Sequence, residues 1–454
     1  MSSKAILGLF GSLLLTACSS NYLTDGVVAI TTGQEQDAWT VEPAAQNVLL
    51  ELVQTTPSTR TPLAKVAAPV SSISIGTAGP QSTIASFEAT AFDADANVVM
   101  KGATVPLGIL GFEGAQVALF MGRVGGLSRA PGDLIFPRRH PQMQVLYHGY
   151  LLISGGDDEQ ANLDIYDMAN WQVAPKQSPL PKVPYSWAVA GSKLLLIDRE
   201  GATWLDMSTY VTSDVDAPVG LDFSDIVGGE TIGSPGDPQY IVGATRVTDP
   251  PTDVVVRVDP DATLHLMNLG TPRLGAAAAI VNGQVLVVGG SKTGPGAEVS
   301  TADGTDFNPL PFPADARQGA ALLAQDVTTA VLAGGRDPES DEIAGFRTMD
   351  LSCSEDCAPV EIAGADFAFD KPRLFSLDES QLLAVGEDPV TGETHVFSFD
   401  TGVGHAQSEF ALRVPRAGAS AFRLPNGQVG VLGGYTLPDQ SASATSVELF
   451  FPQP

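Results

Sequence analysis

The chain has 454 residues, of which 44 % are hydrophobic and only 17 % charged, and its 47 Gly and 33 Pro favour an all-β protein rich in turns. The formal net charge of −28 is repelled by phosphate backbones, which argues against a nucleic-acid-binding protein. Such acidity serves solubility, and the partners that it would attract are cationic groups or divalent metals.

The N-terminus has the pattern of an export signal. Lys4 supplies a short basic region, and residues 5–15 form an apolar stretch that is too short to span a bilayer. The stretch ends in Leu-Thr-Ala-Cys at residues 15–18, where small residues precede a thiol. No other segment reaches 18 apolar residues, so the sequence predicts no transmembrane helix.

This pattern resembles the bacterial lipobox. The resemblance implies that residues 1–17 are a lipoprotein signal peptide, that Cys18 is lipidated, and that residues 18–46 are a tether. It further implies that the lipid is the membrane anchor, and Ser19 after the cysteine implies sorting to the outer membrane of a Gram-negative bacterium. The alternative is an ordinary signal peptide with a chance cysteine.

Residues 47–117 contain short strand patterns separated by Pro- and Gly-rich turns. The clearest is ASFEATAFDA (85–94), in which Phe87, Ala89 and Ala91 alternate onto one face. We predict a small immunoglobulin-like β-sandwich here. The alternative is that this stretch forms an additional blade of the repeat array that follows.

From residue 118 onward the sequence repeats itself. Successive copies begin with Arg, continue through small residues and a turn, and end an apolar strand in Gly-Gly: PRLGAAAAIVNGQVLVVGG (272–290), ARQGAALLAQDVTTAVLAGG (316–335) and PRAGASAFRLPNGQVGVLGG (415–434). With weaker copies, the strand ends fall near residues 155, 197, 242, 289, 334, 385 and 433. This period resembles that of the kelch repeat, with its four-stranded blades.

The resemblance implies a seven-bladed kelch-like β-propeller over residues 118–454. The last copy supplies only three strands before the chain ends, so a fourth strand must come from elsewhere. We predict that the segment 118–131 is that closing strand and that it pairs with 446–451. Closure of the ring would remove both open sheet edges.

Two cysteines remain after Cys18. Cys353 and Cys357 lie four residues apart in a polar turn, between the third and fourth strands of their blade. In an exported protein, such a pair predicts a disulfide. Metal binding would require further ligands, and none is near in sequence.

Five arginines recur at the start of the innermost strand of a blade: Arg138, Arg273, Arg317, Arg373 and Arg416. One interpretation is structural: the arginines pair with acidic residues of the loops after Gly-Gly, or bind carbonyl groups between blades. The other is a partial ring of guanidinium groups around the central channel, suited to a carboxylate or phosphate ligand. Both interpretations place the arginines on the face that carries the loops after Gly-Gly.

The sequence carries no catalytic signature. It has no His-Glu-x-x-His, no Gly-x-Ser-x-Gly and no complete phosphate-binding loop, and its five histidines have no metal-ligand spacing. We therefore expect no cofactor and no metal. Whether the protein is an enzyme stays open, with a non-enzyme favoured.

The function expected from these patterns is that of a non-catalytic lipoprotein of the cell envelope. Its propeller would bind a protein or glycan partner through the variable loops of one face. It would contact the membrane through the lipid anchor only and would bind no nucleic acid. The alternatives are an assembly or quality-control scaffold of the outer membrane, and a propeller enzyme acting on sugars.

Overall fold

A computed structural model describes residues 26–55, 58–75, 84–108, 115–146, 149–157, 161–175, 178–243, 250–362, 368–401, 408–437 and 444–453. The predicted signal peptide and Cys18 lie outside these residues. In the described part, no helix is long and apolar enough to cross a membrane. The described residues form an all-β fold, with one short 3-10 helix among them at Phe223–Ile226.

The N-terminal unit is one eight-stranded sheet. Its strands are β1 Gly26–Thr31, β2 Asn47–Thr55, β3 Ser58–Ala67, β4 Ser72–Ile75, β5 Ile84–Phe92, β6 Val98–Ala103, β7 Leu107–Gly108 and β8 Gln116–Arg123. They are ordered β3-β2-β5-β6-β8-β1-β4, and β7 pairs with β5. Strand β5 alternates between buried and partly exposed residues along its length, as a strand with one face on a core should.

This sheet is consistent with the expected sandwich and argues against an eighth blade, because its strands pair with each other and join no blade. Two boundaries differ from the prediction. Strand β1 lies within the expected tether 18–46. It pairs with β4 on one side and β8 on the other, and its residues alternate between buried and partly buried. Strand β8 covers much of the segment expected to close the ring, and it belongs to the N-terminal sheet instead.

The rest of the chain forms a seven-bladed β-propeller. The short strand β9, Gly126–Arg129, comes first, and its role is described below. Blades 1 to 3 follow, each an antiparallel four-stranded sheet ordered from the innermost strand outward. Their strands are β10 Gln142–Val145, β11 Tyr150–Ser154, β12 Asp164–Asp167 and β13 Gln172–Val173; β14 Ser186–Ala190, β15 Lys193–Asp198, β16 Gly201–Asp206 and β17 Thr212–Asp214; β18 Glu230–Ile232, β19 Gln239–Val242, β20 Thr252–Val258 and β21 Leu264–Arg273.

Blades 4 to 6 have the same order. Their strands are β22 Ala277–Val281, β23 Gln284–Val288, β24 Ala297–Ser300 and β25 Phe307–Leu310; β26 Gln318–Ala324, β27 Thr329–Arg336, β28 Phe346–Asp350 and β29 Val360–Glu361; β30 Asp370–Ser376, β31 Gln381–Glu387, β32 Thr394–Asp400 and β33 Ser408–Glu409. A two-stranded pair, β34 Arg416–Ala417 with β37 Tyr435–Thr436, flanks blade 7.

Blade 7 closes the ring. It consists of β35 Ser420–Arg423, β36 Val429–Leu432 and β38 Val447–Phe451, and β9 is its outermost strand. The predicted pairing between the first and last segments of the propeller is therefore confirmed, with β9 rather than the whole of 118–131 as the closing strand. Blades 7 and 1 also meet directly, because the Gly434 amide donates to the carbonyl of Arg138 at 2.6 Å.

The glycine pairs that end the second strands allow backbone to approach closely. A Cβ on the first glycine would meet a carbonyl of the next blade: one at Gly289 would lie 3.1 Å from Arg317 O, and one at Gly433 would lie 2.8 Å from Arg138 O. A Cβ on the second glycine, as at Gly434, would lie 2.5 Å from the carbonyl of Ala417, in the segment that leads into the same blade. The repeated Gly-Gly is thus a requirement of packing between and within blades.

The two faces of the propeller follow from the strand order. The upper face is defined here as the one where the chain enters each blade and where the loops between second and third strands lie. The lower face carries the other two loops of each blade. The N-terminal sheet sits on the lower face at blades 7 and 1: Trp171 donates to the carbonyl of Ala118 at 3.2 Å, and Asn426 donates to that of Ala103 at 3.2 Å. Phe120 packs edge-on against Trp171 and Phe451.

Candidate functional site

Three of the five arginines are buried within the ring. Arg138, Arg273 and Arg416 are 2 %, 0 % and 0 % exposed, so solvent-borne ligands do not reach them. Each guanidinium donates to the carbonyl of the first glycine of its own blade: Gly155 at 3.4 Å, Gly289 at 2.7 Å and Gly433 at 3.3 Å. Burial lowers the pKa of Arg138 and of Arg416.

Each buried arginine faces an acidic residue on the third strand of its blade. Arg273 bonds Glu298 at 2.7 Å, Arg416 bonds Glu448, and Arg138 lies 3.9 Å from Asp164. These acids are 0–1 % exposed and occupy equivalent positions, each paired with the residue two before the first glycine. They are not the exposed loop acids expected from the sequence.

The same acids also hold the segment that enters the blade. Asp164 accepts from the amides of Ile135 and Phe136, and Glu298 accepts from the amide of Gly270 at 2.6 Å. Glu448 accepts from the amides of residues 413 and 414 in the same way. We call this arrangement of arginine, first-glycine carbonyl and third-strand acid the clasp. It joins the segment that enters a blade to the second and third strands of that blade, and in blade 4 the entering segment is the end of β21, so this clasp also ties blade 3 to blade 4.

Blades 5 and 6 replace the clasp in different ways. In blade 5 the charges are exchanged: Arg347 occupies the third-strand position and bonds Asp315 of the entering segment at 3.3 Å. Arg317 is therefore left half-exposed beside the same carboxylate, at 3.3 Å. In blade 6 the two positions are apolar, and Phe369 packs against Phe397 with ring centroids 5.4 Å apart.

Arg373 does not occupy the position that the sequence pattern suggested. It pairs with Val385, as Ala277 pairs with Val288 in blade 4, so it lies four residues later in register than Arg273. The shift is already present in the sequence: Arg373 stands 13 residues before the first glycine of its blade (386 − 373), whereas Arg273 stands 16 before it (289 − 273).

The shifted guanidinium bonds a distant blade. Arg373 forms an ion pair with Glu230, the equivalent residue of blade 3, at 2.5 Å. Blades 3 and 6 are not neighbours in the ring, so this pair crosses the central channel.

The predicted ring of five guanidinium groups is therefore not formed. Three arginines are buried inside blades, Arg317 is held by Asp315, and only Arg373 reaches the channel. The interpretation in which the arginines have a structural role applies to Arg138, Arg273 and Arg416, and their partners are the acidic residues of the third strands.

A different group of residues converges on the upper face. Two residues after the arginine position of the repeat, which Phe369 occupies in blade 6, the backbone is left-handed. Blades 4, 5 and 7 have glycine there: Gly275, Gly319 and Gly418, with φ of 64°, 71° and 72°. Blades 1 and 6 instead place His140 and Lys371 in this conformation, with φ of 48° and 47°. Non-glycine residues pay a steric cost there, which is typical of functional sites.

These two side chains meet. Lys371 Nζ lies 3.1 Å from His140 Nε2, and Nε2 lies 2.6 Å from Glu387 Oε1. Glu387 stands where blades 1, 4, 5 and 7 have the second glycine, and it is almost buried. Asp157 completes the group, because its Oδ2 lies 2.9 Å from His140 Nδ1. We call these four residues the mouth cluster, since they bridge blades 1 and 6 across the inner side of blade 7.

The protonation of His140 follows from its partners. Both ring nitrogens face carboxylate oxygens, which only accept, so the imidazolium form satisfies both contacts. Burial opposes this charge, but hydrogen bonds to Asp157 and Glu387 outweigh it and raise the pKa of His140. Burial likewise opposes ionisation of Asp157, and the hydrogen bond from His140 outweighs it and lowers the pKa of that carboxyl group.

Sequence reasoning missed the mouth cluster. Its members are far apart in the chain and match no motif. The available signal was that His140, Lys371 and Glu387 each replace a glycine of the repeat. Three departures from one repeat that meet in space indicate a built site.

The predicted disulfide is confirmed. Cys353 and Cys357 are joined, with Cα atoms 5.9 Å apart. The turn follows the third strand of blade 5 and lies on the lower face, away from the mouth cluster. Within the described ranges, no group of three or more His, Cys, Asp or Glu residues could hold a metal ion.

No protein-family model matches the chain. No curated protein matches it either. Among solved structures, the chain is similar to that of YjhT, with 10 % sequence identity and a TM-score of 0.40 over 69 % of this chain and 95 % of that one. The strand pairing itself, rather than this loose likeness, establishes the seven blades, and the function must be argued from the site.

Proposed function

We propose that this is a kelch-type propeller lipoprotein of the cell envelope that binds a partner through its upper face, at the mouth cluster. The observation that carries the proposal is the convergence of His140, Lys371 and Glu387 at positions where blades 4, 5 and 7 all have glycine. A histidine and a lysine in strained backbone conformations do not improve the packing of the fold. In a ligand-binding site, the same strain can be offset because it orients polar side chains toward the ligand.

The position of the N-terminal sheet supports binding at the upper face. The sheet covers part of the lower face, and the predicted anchor Cys18 precedes it in sequence. A chain tethered through this sheet would turn its lower face toward the membrane and its upper face away. A partner, whether glycan or protein, would then approach the upper face.

The binding proposal is tested by thermal melting of residues 19–454 against cell-wall fragments, simple sugars, basic peptides and Ca²⁺. A ligand at 100 times its dissociation constant adds about 2.7 kcal/mol to stability, which gives a measurable rise in the midpoint. The shift should vanish in Glu387→Gln and persist in Asp214→Asn, a matched change on the exposed outer strand of blade 2. A shift that survives Glu387→Gln would place the site elsewhere.

The anchor is tested separately. Cys18→Ser should move the protein from the membrane fraction to the soluble fraction and abolish labelling by a radioactive fatty acid. A wild-type protein that takes up no lipid would refute the lipoprotein assignment and leave the binding proposal standing.

The His140–Glu387 contact favours a second candidate, an enzyme acting on sugars. An imidazole 2.6 Å from a nearly buried carboxylate is a competent acid–base pair. Proton transfer at a sugar hydroxyl would then be the reaction class. Turnover of a sugar by the wild type, lost in Glu387→Gln, would support this candidate over simple binding.

A further inference from the structure

The mouth cluster holds an acceptor that its own donors do not use. Oε1 of Glu387 faces His140, whereas the nearest cation to Oε2 is Lys371 Nζ at 3.8 Å, beyond hydrogen-bond distance. The Glu387 side chain is only 8 % exposed. No hydrogen bond from a described residue reaches Oε2, so this oxygen can accept from a hydrogen-bonding cation, which bonds a carboxylate more strongly than a neutral donor does.

Lys371 is a poor permanent partner for this oxygen. Its side chain is 56 % exposed, its ammonium group also lies 3.1–3.2 Å from both nitrogens of a histidine whose pKa is raised, and its backbone is left-handed. The exposure of the side chain and the repulsion between the ammonium group and a protonated His140 both lower the free energy required to move the lysine aside. The Lys371 side chain thus occupies the position that the ammonium group of a ligand would take.

We propose that the mouth cluster binds a primary amine, which displaces the Lys371 ammonium group and bonds Glu387 Oε2 and Asp157. This inference rests on the proposed function and names the ligand chemistry of that site. An amino sugar and a lysine side chain supply the same chemical group.

The charges of the site select an amine over the alternatives. The charges of Glu387 and Asp157 are offset by His140 and Arg139 beside them, so the preference comes from Glu387 Oε2 itself. A carboxylate oxygen only accepts hydrogen bonds, and an anion without a donor cannot bond it. A neutral hydroxyl could bond Oε2, but a charged donor forms the stronger bond to a carboxylate. The loop acids of the same face, such as Asp341 and Asp388, extend the negative potential around it.

The test uses Lys371→Gly, which gives blade 6 the residue found at this position in blades 4, 5 and 7 and relieves the left-handed strain. Calorimetric titration compares glucosamine, N-acetylglucosamine and Nα-acetyl-lysine methylamide. We expect the variant to bind the two amines about tenfold more tightly than the wild type does, and to ignore N-acetylglucosamine, whose amine is blocked. Glu387→Gln in the variant background should abolish binding. Lys292→Gly, which removes an exposed lysine on the same face, should leave affinity unchanged.

The relative affinity for glucosamine and for the lysine analogue identifies the source of the amine. Absence of amine binding in both the wild type and Lys371→Gly overturns the inference, as does equal binding of N-acetylglucosamine. If the melting panel still gives a shift that depends on Glu387, the site exists and only its assigned chemistry is wrong. If that panel also fails, the proposed function fails with it.

Discussion

The clasp of blade 4 permits a direct measurement of what the buried arginines contribute. Replacement of Arg273 by Ala removes a guanidinium that is 0 % exposed and that donates to the carbonyls of Gly289 and Pro295 and to Glu298. The carboxylate of Glu298, 1 % exposed, then loses its counter-charge inside the blade.

The expected cost is large. Removal of one partner of a buried ion pair destabilises a protein by about 3–5 kcal/mol, because the other charge stays desolvated. At about 2 °C per kcal/mol for a large domain, the melting midpoint should fall by roughly 6–10 °C. Arg317→Ala is the matched control: that arginine is 37 % exposed and its pair with Asp315 is screened by water, so its loss should cost about 1 kcal/mol or less.

Chemical denaturation followed by tryptophan fluorescence gives both free energies of unfolding. Equal costs for the two variants, or a cost below about 1 kcal/mol for Arg273→Ala, would refute the assignment of the clasp as a buried ion pair. A large loss of ligand affinity in Arg273→Ala without a loss of stability would restore the anion-binding interpretation of these arginines.

Three further predictions concern other parts of the molecule. Burial and Lys371 oppose the charge of His140, but the hydrogen bonds to Asp157 and Glu387 prevail and raise its pKa in the folded state. Its stabilising contribution should therefore be complete below about pH 6.5 and be lost as pH rises through the raised pKa. His140→Asn should flatten that part of a stability–pH curve, and an unchanged curve would contradict the cluster. Phe120→Ala should cost about 3–5 kcal/mol and make the N-terminal sheet separable by limited proteolysis. Cys353→Ser should cost about 2 kcal/mol, since the disulfide closes a short loop, and reduction of the wild type should match it in a melting experiment.

The blades could be predicted because the close approach of backbone segments requires glycine at fixed positions of each repeat. Pairs such as Gly289-Gly290 and Gly433-Gly434 recur where a Cβ would collide with a carbonyl, so the ring period was visible directly. The closing strand was predictable for a related reason, since a last copy with three strands requires a fourth.

The site could not be predicted because it depends on register. Lys371-Pro372-Arg373 looks like the Pro-Arg that precedes other blades, yet Arg373 pairs at the position that Ala277 has in blade 4, four residues after that of Arg273, and there it bonds Glu230. The identity of Lys371 as a replacement for glycine becomes visible only after that shift. Contacts across the ring, such as His140 with Glu387, have no local signature at all.

The pairing of β9 with β38 has a consequence for biogenesis. The N-terminal sheet can fold as soon as β8 has been synthesised, but β9 must wait for almost the entire remaining chain before its partner exists. Until then blade 7 is absent and blade 1 lacks one neighbour, so two apolar sheet surfaces stay uncovered. A nascent or truncated chain would therefore be a natural client for a holdase chaperone. Proteolytic loss of β38 would remove the partner of β9 and open the ring at blade 7.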